Sequence, residues 1–375
     1  MWKNEQVQDM GNKEIIKKLS INENILDDKK QQTGYKVRYI TEYVRQWLFV
    51  NTNRTEIQSI NFIDCMSNAG IYKDGDFGTS MEVLVLFLEN AKQFKNKKFN
   101  LFINDNDPKR IAICNKLSDN LIKGQNITNL EVHISCKDVN RYINDYNIFD
   151  SELRKFSATI LFVDPYDFGT VVIDNIKLFV IRYYCEVIFN LFTSDFVRNG
   201  VDDRIKKCIG NTTITDKEGL VQYIFDSLKV GKMKYGFSYQ FKTSTNTELY
   251  QIIFATPNEA GLVKLKEALW KVFNGKFNHR NSVENTDQIS FFSKKDDEKL
   301  LLEMHAENAK NLLLQQFSGS EVSYEDIKLF LNEKTMMKES QFLNHVLKPL
   351  INSGKIKKMG QVEYKSNYKK DNYRF

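Results

Sequence analysis

The sequence is poor in the residues that build disulfide frameworks and metal centres. It contains four histidines and five cysteines in 375 residues, the cysteines being Cys65, Cys114, Cys136, Cys185 and Cys208. No two cysteines form a C-x-x-C pair, and three lie in or beside apolar stretches, where reduced, buried thiols are common. The composition therefore indicates neither a disulfide framework nor a zinc site, and so few histidines argue against a histidine-based metal cluster.

Long apolar runs and export signals are lacking as well. No apolar stretch approaches the roughly 20 residues that span a bilayer. The first residues, MWKNEQVQDMGNKEIIKK, do not contain the apolar segment of a signal peptide. Internal repeats and low-complexity segments are also absent from the sequence. We therefore expect a cytoplasmic protein without a membrane segment.

The composition that remains is that of a globular protein with more than one core. A chain of 44.0 kDa is long enough for two or three cores. Hydrophobic residues make up 42% and charged residues 27%, as in ordinary globular proteins. The net charge of +6 is mild, so nucleic acid is one reasonable partner, and the distribution of basic residues is more informative than their total.

Short apolar runs alternate with amphipathic stretches from residue 60 onward. This alternation indicates a parallel sheet covered by helices on both faces. The runs are at residues 60–65, 101–104, 131–135, 158–163 and 186–192, and the helical stretches are at 81–94, 108–122, 139–149 and 172–184.

Two further strands, at residues 235–241 and 249–255, are joined by the polar turn KTSTNTE and predict a hairpin. Five parallel strands followed by a hairpin match the strand count of a Rossmann-like class I methyltransferase sheet, whose last strand runs antiparallel. Plain dinucleotide-binding folds lack that hairpin. The predicted fold class is therefore α/β, with this sheet at its centre.

The chain divides into three predicted parts. Residues 1–58 form an N-terminal helical segment that packs on the sheet, with one amphipathic helix at 35–50. Residues 59–293 form the sheet domain, with a helical insertion at 193–231 over the sheet edge where ligands of open α/β sheets bind. Residues 294–375 read as a linker helix followed by helix, helix and a short two-stranded ribbon, the order of a winged helix. Pro349 should kink the second of these helices.

The first strand leads into a loop with the layout of a cofactor-binding turn. The stretch SINFIDCMSNAGIYKDGDFGTSME holds a strand, a glycine turn and a helix start, but Gly70 stands where such loops usually carry two or three glycines. Asp64 and the turn through Ser67, Asn68 and Gly70 would bring a carboxylate and backbone N–H groups to the sheet edge. S-adenosylmethionine needs a carboxylate for its amino group and donors for its own carboxylate. An ordinary strand-to-helix turn explains the stretch equally well.

Acidic residues follow the second and third strands. Asp105 ends the second strand, where ribose hydroxyls donate to a carboxylate. Asp138, just past the third strand, is placed equally well to accept from an adenine amino group and to cap the next helix. Asp107 precedes a proline and predicts a helix cap. Thr79 and Glu82 have the spacing of a capping box.

The fourth strand ends in an Asp-Pro-Tyr sequence within ATILFVDPYDFGT. Amino-directed methyltransferases carry an Asp or Asn, one or two prolines and an aromatic residue at this place. Asp164 and the carbonyl of Pro165 would accept from an amine N–H and direct the nitrogen lone pair toward a methyl group, while Tyr166 stacks on a flat substrate. These are the predicted catalytic residues. The alternative is a buried strand that ends in a turn.

The C-terminal tail is basic and aromatic. Residues 354–375 contain seven Lys and Arg residues against two acids, interleaved with Tyr364, Tyr368, Tyr373 and Phe375. Such a pattern suits backbone contact and stacking on nucleic acid, although many winged helices contact proteins instead. The predicted nucleic-acid-binding residues are Lys355, Lys357, Lys358, Lys365, Lys369, Lys370 and Arg374.

Taken together, the chain resembles the three-Cys-motif partner protein (TcmP) family over most of its length. The comparable stretches are FIDCMSNAGIY followed by GTS, FINDNDP, LFVDPYDFG and YQIIFATPNEAGLVKLKEALWK, of which the last is the most specific. The resemblance implies a class I methyltransferase domain, a C-terminal winged-helix-like part and Asp105 as the family's acidic residue. It also implies association with a separate protein that bears a three-cysteine motif.

Three positions depart from the family pattern. Met66 and Asn68 replace the family's Phe and first Gly, and Asp167 replaces the Gly after D-P-Y. Asparagine adopts the left-handed conformation more readily than other non-glycine residues. The turn can therefore form at Asn68, with its side chain in space usually left for the cofactor.

The sequence favours an S-adenosylmethionine-dependent methyltransferase that acts on an amine-type nitrogen of nucleic acid together with a partner protein. The alternative is a catalytically inactive protein of the same fold that binds nucleic acid or serves as a scaffold, in a defence or mobile-element system. The predicted cofactor-binding residues are Asp64, Ser67, Asn68, Gly70, Asp105 and Asp138.

Overall fold

The computed structural model describes residues 13–153, 156–199, 203–210, 213–281, 294–359 and 371–375. The strands within these ranges are β1 Ser59–Asp64, β2 Lys98–Asp105, β3 Leu130–Cys136, β4 Ser157–Val163, β5 Glu186–Leu191, β6 Tyr235–Lys242, β7 Glu248–Thr256, β8 His279–Arg280, β9 Glu321–Ser323, β10 Lys357–Met359 and β11 Asn372–Arg374. The helices are α1 Glu14–Lys18, α2 Gln31–Thr52, α3 Thr79–Gln93, α4 Pro108–Ile122, α5 Val139–Ile143, α6 Tyr146–Phe149, α7 Ile173–Arg182, α8 Thr193–Asn199, α9 Asp203–Ile209, α10 Lys217–Leu228, α11 Glu259–Phe273, α12 Lys294–Phe317, α13 Tyr324–Lys334, α14 Glu339–Phe342 and α15 Lys348–Asn352.

The larger sheet has the strand order β3-β2-β1-β4-β5-β7-β6-β8. β1 to β5 are parallel, and Phe62 of β1 lies opposite Leu101 of β2 and Ile160 of β4. β7 runs antiparallel to both of its neighbours, β5 and β6. The predicted α/β class is therefore confirmed as a mixed α/β fold with a large, mostly parallel sheet.

Side chains that alternate along each strand divide the core into two layers. In β1, Ile60 and Phe62 belong to the layer that holds buried residues of α2, α3, α4 and α11. Ile63 of the same strand belongs to the layer of α5, α6, α7 and α10. Because helices cover both faces, all 7 residues of β4 are buried, as expected of a central parallel strand.

Helix α2 extends the helix predicted at residues 35–50 and packs on α3 and α11. Its Tyr43 hydroxyl donates to the carboxyl group of Glu186 at the start of β5. Thr256 donates to the same carboxyl group at 2.9 Å, and burial raises the pKa of Glu186 to about 7. This buried network fixes α2 against the sheet.

Of two predicted helical regions, one is divided in the structure and the other is confirmed. The single helix predicted at 139–149 is wrong, because α5 and α6 are separated by a turn in which the Asp145 N–H donates to the Tyr142 carbonyl at 3.0 Å. The helical character predicted for 193–231 is confirmed as α8, α9 and α10. α10 packs on α7, and α9 packs on the 3₁₀ turn Phe168–Thr170 beyond β4.

The C-terminal unit consists of α12 to α15 and a small antiparallel sheet with the order β10-β11-β9. The predicted two-stranded ribbon therefore gains β9 as a third strand. The helical segment continues past Pro349. The π turn Leu343–Leu347 comes immediately before Lys348–Asn352, the segment that contains Pro349. A π turn accommodates the missing N–H and the bulk of the ring.

Helix α11 joins the two units, and most of it lies within the sequence stretch 250–271. Lys266, which is 1% exposed, donates to oxygens of Leu331, Asn332 and Met337 at 3.0–3.2 Å. A Cβ added at Gly261 would lie 2.5 Å from a Glu186 carboxyl oxygen, so a larger residue there would displace that buried carboxyl group. That stretch therefore has a structural role in docking the units.

Every helix among the described residues is too short or too polar to cross a lipid bilayer.

Candidate functional site

A cavity of about 620 Å³ lies at the carboxyl ends of β1 and β4, and ligand pockets commonly have volumes of about 300–1,000 Å³. β1 and β4 are neighbours whose following strands lie on opposite sides of the sheet, which makes this the switch point where open α/β sheets bind ligands. Predicted site residues that line the cavity are Asp64, Ser67, Asn68, Gly70, Asp164, Pro165 and Tyr166.

The loop after β1 forms the left-handed turn that the sequence predicts. Asn68 has φ of 57° and Gly70 has φ of 72°, so Asn68 occupies a conformation that usually selects glycine. A Cβ at Gly70 would lie 3.1 Å from Cγ of Met81, and the Gly78 N–H donates to the Gly70 carbonyl at 2.8 Å. The loop is therefore closed tightly over the start of α3.

Consecutive backbone N–H groups of this loop already have acceptors within the protein. Those of residues 66–69 donate to Asp64 Oδ1 at 3.2 Å, the Asn104 carbonyl at 2.8 Å, Asp105 Oδ2 at 3.0 Å and Asn68 Oδ1 at 2.6 Å, respectively. The sequence indicated such donors for a cofactor carboxylate. At these positions the protein supplies the acceptor itself.

Asp64 lies at the floor of the cavity and is 1% exposed. Burial raises its pKa to about 7, although hydrogen bonds from Ser80 Oγ at 2.5 Å and from the Met66 N–H partly oppose the shift.

The capping box predicted for Thr79 and Glu82 is wrong. Thr79 is already helical, and the N-cap residue is Gly78 without a side-chain cap.

Asp105 lies beside the loop but is not among the residues that line the cavity. It is 2% exposed, and its two carboxyl oxygens accept the N–H groups of Asn68 and Asp107. The structure thus brings it to the sheet edge with both oxygens engaged, and its contact with a ribose stays a prediction.

The acidic residues at two helix starts act as caps. Asp138 accepts from the N–H groups of Asn140 and Arg141 at 3.0 and 3.1 Å, which confirms the capping alternative. Asp107 caps α4 by accepting the Lys109 N–H at 2.8 Å, as predicted. Asp138 is absent from the cavity lining, so its contact with adenine stays a prediction.

Asp164 forms an ion pair that the sequence did not predict. Lys36 Nζ lies 2.7 and 2.6 Å from its two carboxyl oxygens, and Asn190 Nδ2 lies 2.7 Å from one of them. The sequence does contain a pattern that points to Lys36: this charged residue shares the buried face of α2 with Tyr39, Ile40 and Tyr43. The signal for Asn190 is a polar residue inside the apolar run of β5.

The ring of Tyr166 is 50% exposed and lies against an arginine that the sequence did not single out. The guanidinium carbon of Arg110 is 5.2 Å from the ring centroid, and Arg110 also donates to the Tyr166 hydroxyl. Arg110 lies 3.6 Å from Asp27, which itself accepts from the Asn68 side chain. The predicted stacking residue is therefore held at one side of the cavity.

The N-terminal segment forms a further wall that sequence reasoning missed. Asp27, Asp28 and Lys30 line the cavity. Lys29 pairs with Asp74 at 2.9 Å and with Asp76, and Lys73 pairs with Asp28 at 2.9 Å. Side chains on both segments therefore tie this wall to the loop that follows β1.

No protein-family model matches the sequence, and no curated protein matches it. Within the described ranges, no group of three or more His, Cys, Asp or Glu side chains is arranged to hold a metal ion. The site offers four carboxylates that line the cavity, of which Asp64 and Asp164 lie at the carboxyl ends of β1 and β4. It also offers a half-exposed aromatic ring beside them, a combination that can recognise an ammonium group and a flat amine.

The basic tail is only partly described, and its described residues are divided between exposure and ion pairs. Lys355, Lys357 and Arg374 are exposed, while Lys358 pairs with Asp371 at 2.9 Å and Arg374 also pairs with Glu321 at 3.3 Å. The predicted residues Lys365, Lys369 and Lys370, with Tyr364 and Tyr368, lie outside the described residues.

Tyr373 was predicted to take part in stacking on nucleic acid. In the structure it is 0% exposed and belongs to the core of the C-terminal unit. It lies in β11, the central strand of the three-stranded sheet, and its side chain faces the core of the unit. The stacking interpretation of Tyr373 is therefore wrong.

Proposed function

We propose that this protein binds S-adenosylmethionine in the cavity at the sheet edge and methylates an amine-type nitrogen of nucleic acid, together with a partner protein. The observation that carries the proposal is the convergence of Asp64, the turn at Gly70 and the Asp164-Pro165-Tyr166 sequence on one cavity of about 620 Å³. The antiparallel β7 further supports a class I methyltransferase sheet. The resemblance to the TcmP family supports the same fold and the partner protein.

The residues present fit this cofactor in size and charge. Asp64 would hold the ammonium group, and the turn at Gly70 lies beside it in the cavity wall. When bound, the cofactor would supply an electrophilic methyl group on its sulfonium centre. Ionised Asp64 is the form that binds an ammonium group, so cofactor binding should strengthen as the pH rises through about 7.

Asp164 retains capacity for one substrate N–H. A carboxylate offers about four lone-pair positions, and Lys36 and Asn190 use three of them. The remaining position and the Pro165 carbonyl would orient an amine, and Tyr166 would stack on the ring that carries it. Catalysis then comes mainly from alignment and not from acid–base chemistry.

The C-terminal unit would contribute nucleic-acid contact as a winged-helix-like part. Lys355 and Lys357 are exposed at the start of its ribbon. Exposed lysines at a ribbon suit contact with phosphates. The partner protein of three-cysteine type enters this proposal only through the family resemblance.

The second candidate is a catalytically inactive protein of this fold that binds nucleic acid or serves as a scaffold. The observation that favours it is the engaged loop, in which Asn68 Oδ1 takes the N–H of residue 69 at 2.6 Å. The Asn68 side chain also donates to Asp27 at the cavity wall. Both contacts use groups that a cofactor carboxylate would need.

Calorimetric titration of the full chain with S-adenosylmethionine tests the proposal, with Asn68→Gly as a matched variant that frees one N–H. Binding by both proteins, followed by transfer of labelled methyl groups to single-stranded nucleic acid, supports the enzyme. Absence of binding to the wild type at millimolar cofactor contradicts it. Binding by Asn68→Gly alone would favour the inactive alternative.

A further inference from the structure

Lys36 places a positive charge at the point where a substrate amine would meet Asp164. Its Nζ bridges both carboxyl oxygens at 2.7 and 2.6 Å, and the residue is 8% exposed. The ammonium also lies 5.8 Å from the centroid of the Tyr250 ring. The Tyr43–Glu186 contact fixes α2 to the sheet. Lys36 lies on α2, so this helix holds the lysine in place beside Asp164.

The charges around Asp164 come from several elements. α2 contributes Lys36, β5 contributes the neutral Asn190, and β1 contributes Asp64, whose pKa the Asp164 charge helps to raise. Burial raises the pKa values of Tyr72 and Tyr250, and the nearby Asp164 charge adds to both shifts. Among the described residues, Lys36 is the cation within ion-pair distance of this carboxylate.

We propose that Lys36 is a positioning residue that makes the acceptor site selective for neutral amines over alkylammonium groups. This inference rests on the proposed function and names its substrate class, a flat neutral amine such as a nucleobase exocyclic amino group. A neutral amine needs only the one lone pair that Lys36 and Asn190 leave on Asp164. An alkylammonium group would have to displace Lys36, whose own charge would then be buried without a partner.

The first test measures binding and does not depend on methyl transfer. In Lys36→Ala, a space of the size of the lysine side chain opens beside Asp164, and n-butylammonium should fill it. We expect calorimetry to show at least about tenfold tighter binding of n-butylammonium to Lys36→Ala than to the wild type. The double variant Lys36→Ala with Asp164→Asn should lose that gain. Equal binding to wild type and Lys36→Ala would overturn the inference.

The second test measures selectivity. An adenine-containing single-stranded oligonucleotide and a lysine-containing peptide compete for labelled methyl groups from S-adenosylmethionine. We expect the ratio of kcat/KM values to shift toward the peptide by at least about tenfold in Lys36→Met, and Lys36→Arg to keep the wild-type ratio. An unchanged ratio in Lys36→Met would overturn the role of Lys36.

The two arms separate failure of the inference from failure of the proposed function. If no protein methylates either acceptor, the proposed function fails, while n-butylammonium binding still decides whether Lys36 occupies an ammonium site. If methyl transfer occurs but selectivity does not depend on Lys36, the inference fails alone. Circular dichroism of each variant checks that the fold is retained, and Lys36→Met keeps the apolar stem should Lys36→Ala unfold.

Discussion

At the scale of single residues, Asn68 serves the fold and limits the cavity. Its φ of 57° gives the chain the left-handed turn that a glycine would otherwise provide. Its side chain then donates to Asp27 and accepts the N–H of residue 69. The same residue therefore closes the loop and projects toward the space where a cofactor would bind.

Replacement of Asn68 separates these two roles. We expect Asn68→Ala to lower the free energy of unfolding by about 1–2 kcal/mol, because alanine is strained in the left-handed conformation. Asn68→Gly should change stability less, since glycine adopts that conformation freely. Urea unfolding of both variants provides the measurement. Equal losses would show that the lost side-chain contacts matter more than the backbone conformation.

Asp64 makes stability depend on pH in a direction opposite to that of a salt-bridged acid. Its pKa rises from 3.8 to about 7 on folding because of burial, so the folded state favours the protonated acid. The contribution of protonated Asp64 to the free energy of unfolding is complete below about pH 4. It is lost as the pH rises through about 7. Asp64→Asn should therefore be more stable than the wild type at pH 8, by about 2–4 kcal/mol.

The measurement is urea unfolding of the wild type and Asp64→Asn at a series of pH values. Glu186 also has a raised pKa, but it is present in both proteins and cancels in the difference. The difference in the free energy of unfolding between the two proteins should shrink toward pH 4. A difference that does not depend on pH would contradict the assignment to Asp64.

At the scale of elements, acidic side chains cap the starts of two helices that follow strands. Asp107 and Asp138 accept N–H groups of α4 and α5, respectively. α3 has no side-chain cap, and Ser80 in its first turn donates to Asp64 instead. The capping pattern at Thr79 and Glu82 is not realised, because the helix already includes Thr79 and Gly78 is its N-cap residue.

Asp138 allows its two predicted roles to be separated. Asp138→Ala should destabilise the protein by about 1 kcal/mol through loss of the cap, whereas Asp138→Asn keeps a capping oxygen. If Asp138 serves only as a cap, Asp138→Asn binds S-adenosylmethionine as tightly as the wild type. Thermal unfolding and calorimetry measure the two effects. Weaker cofactor binding by Asp138→Asn would restore the adenine-contact role.

At the scale of the whole molecule, a buried lysine joins the sheet domain to the C-terminal unit. Lys266 donates to three oxygens at the end of α13 and beyond it. Trp270 on the same helix donates to the Met336 carbonyl at 2.6 Å. Burial lowers the pKa of Lys266 well below its ordinary value, as its enclosed position requires.

Removal of this contact should loosen the C-terminal unit. We expect Lys266→Ala to cost about 2–3 kcal/mol of stability, because it removes the donor to three buried oxygens. Hydrogen exchange in residues 324–352 should rise with it. Lys264→Ala is the matched control, since Lys264 pairs with Glu267 on the same helix, and a change of about 0.5 kcal/mol or less is expected. Similar effects of both variants would contradict the docking role.

Most of the strands and helices, and much of the sheet edge, follow from local sequence patterns. Short apolar runs and helical patterns located β1 to β7, and the residues predicted at the ends of β1 and β4 line one cavity. These features are local, because apolar periodicity reports which side of an element is buried. The predicted left-handed turn at Asn68 followed from the same kind of local chemistry.

The contacts of each site residue depend on how distant segments of the chain come together. Lys36 and Asp164 are 128 positions apart, and no local pattern pairs them. The engaged N–H groups of the loop depend on the neighbouring β2, and the single helix predicted at 139–149 divides into α5 and α6. Contacts of this kind arise when the strand order brings distant segments to one edge, so they follow from topology and not from periodicity.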